Sequence, residues 1–492
     1  MKKTLSTFLL SLLVLGAMAQ IQRPKLVVGL VVDQMRWDYL YYYYNQYRTD
    51  GLRRLVDQGF SFENTLINYV PAVTAVGHSS IYTGSVPALT GIVSNNFYLH
   101  DKWIYCCDDP SVKTVGSNTD EGKMSPRNLL ASGLGGVLKM ATDCKAKVIG
   151  ISIKDRAAIL PAGHSGDAAY WWDTAAGHFI TSSYYMNQLP EWVKAINKKV
   201  AAKPGTNVIT SVAGVTKTFQ MAEAALDNEQ LGQDSVTDLL AISVSSTDAI
   251  GHTYGTRGQM NHDVFMELDK QLALFMNKLD EKVGKGQWLL FLSADHGASH
   301  NHNLLKQRRM AAGGLDFDKN FKPVETALEK ELGFAPVIKK ESNGWVYINE
   351  VGAAKNGKSM DKVKAAVCDK LLANDSILYA VDCEKVLTTT VPQPVREMIV
   401  NGYRKDRSGD IFIVPKAGWE DVDGSDKYIG TTHAQWNPYD THIPFVLYGW
   451  NVPHGQTSAE THITDIAPTI CAMLHIQMPN SCVGKAMNDY LK

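Results

Sequence analysis

The chain has 492 residues, of which 45% are hydrophobic and 20% charged, and its formal net charge is −1. These values describe a folded globular protein and exclude a disordered or fibrous one. They supply no global basic field, so neither nucleic-acid binding nor adhesion to an acidic membrane surface is expected.

The first predicted element is a leader. Lys2-Lys3 precede the apolar run TLSTFLLSLLVLGAMA, which ends on the small residues Ala17 and Ala19. A short positive segment, an apolar run too short for a comfortable membrane span and a small-residue cut site read as a secretory signal peptide over 1–19. The mature chain, 20–492, is then expected to be periplasmic or secreted, with no membrane span. An oxidising compartment permits disulfides. Cys368 with Cys383, and Cys471 with Cys482, are near enough in sequence to pair, and the odd total of seven leaves a thiol over. No C-x-x-C occurs, so cysteine is not offered as a metal ligand.

Five continuous apolar runs follow in chain order: KLVVGLVV (25–32), AKVIGISI (146–153), DLLAISVS (238–245), QWLLFLS (287–293) and IPFVLYG (443–449). Runs without polar alternation predict strands covered on both faces. An amphipathic helix is predicted over 264–283. The expected fold class is α/β, a three-layer sandwich with a mostly parallel central sheet. The aromatic-rich stretch 161–192 has weak periodicity and is expected as surface loops near a site. Residues ~325–400 mix helical and strand patterns and predict a small inserted α+β cap.

The ends of the core runs carry the chemistry. The first ends at Asp33, the second at Lys154-Asp155-Arg156, the third leads to Asp248, and the fourth to Asp295-His296-Gly297. The carboxyl ends of strands are where open α/β sheets build sites. Asp248 and His252, four apart, face the same side of a helical turn and can share a metal. His433 or His442 can complete that set, with His300 and His302 as further imidazoles in a loop. Oxygen and nitrogen donors without thiolate favour zinc, with manganese or iron as other options. Two such ions roughly 4 Å apart clamp the attacking and leaving oxygens of a phosphoryl transfer.

Residues 70–84, VPAVTAVGHSSIYTG, hold four hydroxyls: Thr74, Ser79, Ser80 and Thr83. Gly77-His78-Ser79-Ser80-Ile81 approaches the G-x-S-x-G nucleophile elbow, but Ile81 occupies the second glycine position. A metal-independent serine hydrolase using Ser79 is therefore a rival, as is a non-catalytic phosphate- or glycan-binding protein. A metal ion is the better activator of a hydroxyl in this sequence.

The segments VVDQMRWDYL, TAVGHSSIYTGSVPALTGIVSNNFY, SIKDRAAILPAGH, SSTDAIGHTYG, SADHGA, GTTH and ITDIAPTI together resemble the alkaline phosphatase superfamily. The resemblance is to periplasmic single-chain alkaline phosphatases with a threonine nucleophile, and to type I phosphodiesterases and nucleotide pyrophosphatases. It runs from about residue 25 to the C-terminus. It implies a monomeric, zinc-dependent alkaline phosphatase with two Zn2+ ions, hydrolysing small-molecule phosphate monoesters through a phosphothreonine. A phosphodiesterase or nucleotide pyrophosphatase on the same scaffold is the alternative. The resemblance selects Thr74 as nucleophile, with Asp33, Thr74, Asp295 and His296 on one metal and Asp248, His252 and His433 on the other. Asn95, with Asn96 as its rival in register, matches a donor to a phosphoryl oxygen. Lys154 and Arg156 match the pair that grips the other oxygens in the monoesterase branch. Phe97 stands where relatives often have tryptophan, expected at the substrate mouth. No C-x-P-x-R context occurs, and Thr74 cannot become formylglycine, which disfavours a sulfatase.

Overall fold

The computed structural model describes residues 22–491, so the leader expected over 1–19 lies outside the described residues. The five apolar runs all form strands. In chain order, the central sheet uses β1 (Leu26–Val32), β2 (Phe60–Leu66), β3 (Val148–Ser152), β4 (Ala168–Asp173), β5 (His178–Ser182), β6 (Asp238–Val244), β7 (Trp288–Ser293), β8 (Phe445–Gly449) and β9 (Gly455–His462). Every residue of β1, β3, β6 and β7 is buried, as their unbroken apolar pattern requires. Each fully buried Leu, Ile or Val there contributes about 1.5–3 kcal/mol.

Across the sheet the order is His442–Ile443, β2, β8, β7, β1, β6, β3, β4, β5 and Thr114–Val115, with β9 added on β2. The block β7-β1-β6-β3-β4 is parallel. The flanks are mixed: β8 runs antiparallel to β7, β2 antiparallel to β8, and β5 antiparallel to β4. Helices cover the sheet. Among them α1 (Thr74–Thr83) packs on α2 (Asp155–Ala162), and α3 (Val212–Asn228) packs on α5 (Gln259–Leu279), which follows α4 (Ser246–Tyr254).

The antiparallel flank brings distant segments to one edge. Phe445, the first residue of β8, lies opposite Ser293, the last of β7. Leu66, the last of β2, pairs with His442. The loop that precedes β8 and the chain that leaves β2 toward α1 therefore meet at the carboxyl ends of β7, β1, β6 and β3.

The stretch 161–192 is not a set of surface loops. It contains β4 and β5, which extend the central sheet as an antiparallel pair. Tyr170, Trp171 and Trp172 are buried within it. Aromatic side chains packed on both faces of a strand erase the alternation that would have announced it.

A second, antiparallel sheet has the order Ile338–Ser342, Trp345–Ile348, Ile411–Pro415, Ile377–Asp382. Its period-2 pattern divides two cores. Val346, Ile411 and Ile413 pack under the helices Phe317–Leu332 and Met360–Leu372, with Leu328, Val363 and Val367. Trp345, Phe412 and Val414 face the other way, against Val70, Tyr98 and Trp103. Among the described residues all seven cysteines are free thiols, so neither pairing offered by the sequence is made. No helix among them is long and apolar enough to cross a membrane.

Candidate active site and metal centre

Asp33 follows β1, Asp248 lies in the first turn of α4 after β6, and Asp295 follows β7; all three are buried. Because β7, β1 and β6 are sheet neighbours, these carboxylates sit side by side. Lys154, after β3, places Nζ 2.7 Å from Asp33 Oδ2 and 2.6 Å from Asp248 Oδ2. Burial, followed by the charges of Asp248 and Asp295, pushes the Asp33 carboxyl well above the usual range. Burial also opposes ionisation of Asp248, but His252, Lys154 and His433 outweigh it and hold that carboxyl well below.

Gln34 joins two of these groups. It adopts a left-handed backbone, φ 62°, directly after Asp33. Its N–H donates to Asp295 Oδ1 at 3.2 Å, and its Nε2 donates to Asp248 Oδ1 at 2.7 Å. A Cβ at Gly251 in α4 would meet Gln34 Oε1, so glycine there leaves room for the Gln34 carboxamide.

Three histidines present the same nitrogen to this cluster. Nδ1 of His252 donates to Thr431 O at 2.9 Å, Nδ1 of His433 to Ala72 O at 2.7 Å, and Nδ1 of His296 to Gly297 O at 3.0 Å. A carbonyl only accepts, so the proton of each neutral ring is fixed on Nδ1 and the Nε2 lone pair is free to bind metal. The Nε2 atoms face carboxylates: His252 is 3.1 Å and His433 3.7 Å from Asp248 Oδ1, and His296 is 3.5 Å from both Asp33 and Asp295. The rings of His296 and His433 stack with centroids 3.5 Å apart. Burial lowers the affinity of His296 and His433 for a proton.

Ligand atoms of Asp248, His252 and His433 lie within 4.8 Å of one another, as do those of Asp33, Asp248 and His296. Asp33 Oδ1, Asp295 Oδ2 and His296 Nε2 are buried without a hydrogen-bond partner. Orphaned anionic oxygens beside an orphaned imidazole lone pair fit divalent cations held by mixed oxygen and nitrogen donors.

Of the four hydroxyls, only Thr74 starts a helix at this edge, as the first residue of α1. Ser79 Oγ donates to Val76 O and Thr83 Oγ1 to Ser79 O, inside the helix. Ser80 is buried in the same helix. The near-elbow glycine has another use. A Cβ at Gly77 would collide with the backbone of Asp295, so glycine lets α1 lie against that residue. His78 strengthens the contact: its Nδ1 is 2.9 Å from Thr74 O and 3.2 Å from Asp295 Oδ2, and its Nε2 is 2.7 Å from Ser243 Oγ.

Asn95 Oδ1 accepts from the N–H of Ala75 at 3.0 Å, at the start of α1. Asn96 instead begins a hairpin strand, Asn96–Leu99, and its Nδ2 turns to Ile104 O. Arg156, in the first turn of α2, is half-buried; Nη1 donates to Tyr105 Oη at 3.1 Å, while Nε has no partner. Burial works against its charge, but Tyr105 and Asp155 outweigh it and keep the guanidinium protonated.

Other sequence candidates lie elsewhere. His442 stacks on Trp37 and binds Glu63 O. His300 contacts Thr256, and His302 stacks on Tyr428. Phe97 does not line a mouth; it is fully buried, under the guanidinium of Arg407. Sequence reasoning missed Gln34, His78 and Tyr105. The signal for the first two was adjacency, one residue after the strand-end aspartate and one after the close-packing glycine.

The family model for type I phosphodiesterase / nucleotide pyrophosphatase matches residues 27–437. The chain belongs to this family. Alkaline phosphatase PhoV of Synechococcus elongatus is 42% identical, covering 96% of this chain and 94% of its own. Alkaline phosphatase PafA of Elizabethkingia meningoseptica is 38% identical over 98% of each chain. A crystal structure of alkaline phosphatase PafA superposes with a TM-score of 0.91, covering 96% of this chain and 100% of that one. A second PafA structure, with a TM-score of 0.90 and 37% identity over 96% and 99% of the chains, carries substitutions at a threonine, an asparagine, a lysine and an arginine. These members of the family place the chain in the alkaline phosphatase superfamily as a metal-dependent phosphoesterase.

Replacing Gly77 with alanine sets two effects against each other. Alanine gains about 1 kcal/mol of helix propensity, whereas the clash with the Asp295 backbone costs about 1–3 kcal/mol. Gly77→Ala is expected to lower the melting temperature and to reduce turnover in the same preparation. A raised melting temperature with full turnover would show that α1 does not depend on that approach.

Proposed function

We propose that the protein is a zinc-dependent alkaline phosphatase that hydrolyses small-molecule phosphate monoesters through a phosphothreonine on Thr74. One observation carries the monoester reading: Lys154 Nζ stands between Asp33 and Asp248, and the half-buried Arg156 follows it at the start of α2. A monoester presents more non-bridging negative charge than a diester, and two adjacent cations complement it. The PafA variant supports the same reading, since its altered residue types are those of Thr74, Asn95, Lys154 and Arg156 in the same chain order.

In this reading Asp33, Thr74, Asp295 and His296 hold one zinc ion, and Asp248, His252 and His433 hold the second. When bound, the ions supply Lewis acidity and neutralise charge on the attacking and leaving oxygens. The start of α1 adds a favourable dipole at Thr74 Oγ1 as its proton is lost. That oxygen attacks phosphorus in line, and the alcohol departs on the opposite side. Asn95 Nδ2, Lys154 and Arg156 hold the non-bridging oxygens. Because the transition state is loose, positioning and charge stabilisation dominate the rate. Water then attacks the phosphothreonine in line, returning the Thr74 oxygen and releasing phosphate. Tight Nδ1 anchoring of all three histidines keeps the ligand set in place through both steps.

We read the segment of about 325–400 as an inserted cap, because its sheet packs against Val70, a few residues before Thr74. The leader reading places the enzyme in the periplasm or outside the cell, as a monomer.

Thr74→Ala is expected to lower p-nitrophenyl phosphate turnover by roughly a thousandfold or more while zinc content stays near that of the parent; full turnover would rule out the assignment. For Arg156→Ala, a lost hydrogen bond to a charged group is worth about 1.5–3 kcal/mol. Monoester kcat/KM should fall accordingly, by roughly tenfold to a hundredfold, and bis-p-nitrophenyl phosphate hydrolysis should change little. Equal losses on both substrates would support a diesterase instead.

A further inference from the structure

Arg156 and Asn95 come from different elements, yet one short hairpin holds both. Its strands are Asn96–Leu99 and Lys102–Tyr105, and Asn96 pairs with Tyr105. The N–H of Cys106 donates to Asn95 O at 2.9 Å, which closes the hairpin base on Asn95 itself. Tyr105 is anchored in turn, its N–H donating to Asp108 Oδ2 at 2.8 Å.

The Tyr105 side chain reaches the other group. Its hydroxyl accepts from Arg156 Nη1 at 3.1 Å and donates to Asp155 Oδ1 at 2.6 Å. Arg156 and Asp155 are 4.0 Å apart at their nearest charged atoms. The phenol thus stands between a cation and an anion that would otherwise close on each other. It takes one Arg156 N–H and satisfies the carboxylate, leaving Arg156 Nε buried and unpartnered. Burial pushes the Tyr105 hydroxyl well above its usual range, so it stays a neutral donor in alkaline solution.

We infer that Tyr105 is a positioning residue that sets Arg156 in register with Asn95 and so governs the preference for monoesters over diesters. The inference rests on the phosphate-gripping role proposed for Arg156. Without the hydroxyl, the Asp155 carboxylate is free to draw the guanidinium away from the phosphoryl oxygens.

The test measures kcat and KM of the full zinc-loaded enzyme on p-nitrophenyl phosphate and bis-p-nitrophenyl phosphate. The variants are Tyr105→Phe, Arg156→Ala and the two combined. Tyr105→Phe is expected to lower monoester kcat/KM by roughly fivefold to twentyfold, less than the full loss of a hydrogen bond to a charged group because the guanidinium itself remains. Diester kcat/KM should stay within about twofold, and the change should add nothing in the Arg156→Ala background, because the two act as one unit. Adding Asp155→Ala to Tyr105→Phe should recover part of the monoester rate by removing the competing anion. A packing defect alone would lower both substrates and persist without Arg156. An unchanged monoester rate in Tyr105→Phe, or equal losses in both backgrounds, would overturn the inference while leaving the role of Arg156 standing. Equal monoester and diester losses in Arg156→Ala would overturn that role and the inference with it.

Discussion

Like charge crowded at one buried edge is the constraint on which the rest of the site depends. Asp33, Asp248 and Asp295 are carried there by neighbouring strands, and none is open to solvent. Two carboxylates about 4 Å apart repel by about 4 kcal/mol even at an effective dielectric near 20. Lys154 lies against two of the three carboxylates, and the crowding pushes Asp33 well above the usual carboxylate range. Of the three histidines, Asp248 draws only His252 toward its charged form; burial holds His296 and His433 toward neutral. What those two offer is lone pairs. Crowded carboxylates beside buried imidazole lone pairs are a setting for metal.

The surrounding structure prevents easier solutions. Gln34 fixes Asp248 and Asp295 through two donors from one residue. Backbone carbonyls of Ala72, Gly297 and Thr431 fix the three tautomers. Gly77 lets α1 lie against the Asp295 backbone, and Gly251 leaves room for the Gln34 carboxamide. Helix α1 and Asp295 are therefore one packed unit, with His78 hydrogen-bonded to Thr74 O and 3.2 Å from Asp295 Oδ2. Chemistry and packing share residues here, so substitutions at these glycines act on stability and on turnover together.

Much of this was legible in the sequence, for definite reasons. The buried strands appear as unbroken apolar runs, and the aspartates that follow them mark the reactive edge. Asp248 and His252 declare themselves by helical spacing. That His433 rather than His442 lies beside Asp248 and His252, and Asn95 rather than Asn96 at the start of α1, has no periodic signal. It depends on an antiparallel strand and a hairpin whose partners are remote in sequence. His442 proved to be a packing residue on Trp37. The strand Ala168–Asp173 was hidden because both of its faces are buried and aromatic. Gln34, His78 and Tyr105 looked ordinary because their roles exist only through tertiary contacts.

Anomalous diffraction from crystals of the purified full-length enzyme, collected on either side of the zinc absorption edge, tests the central claim most directly. Two zinc-specific peaks are predicted, one within bonding distance of Asp33, Thr74, Asp295 and His296, the other of Asp248, His252 and His433. A fully folded enzyme with no such peak between these residues, or with their Nε2 atoms turned away from the density, would contradict it.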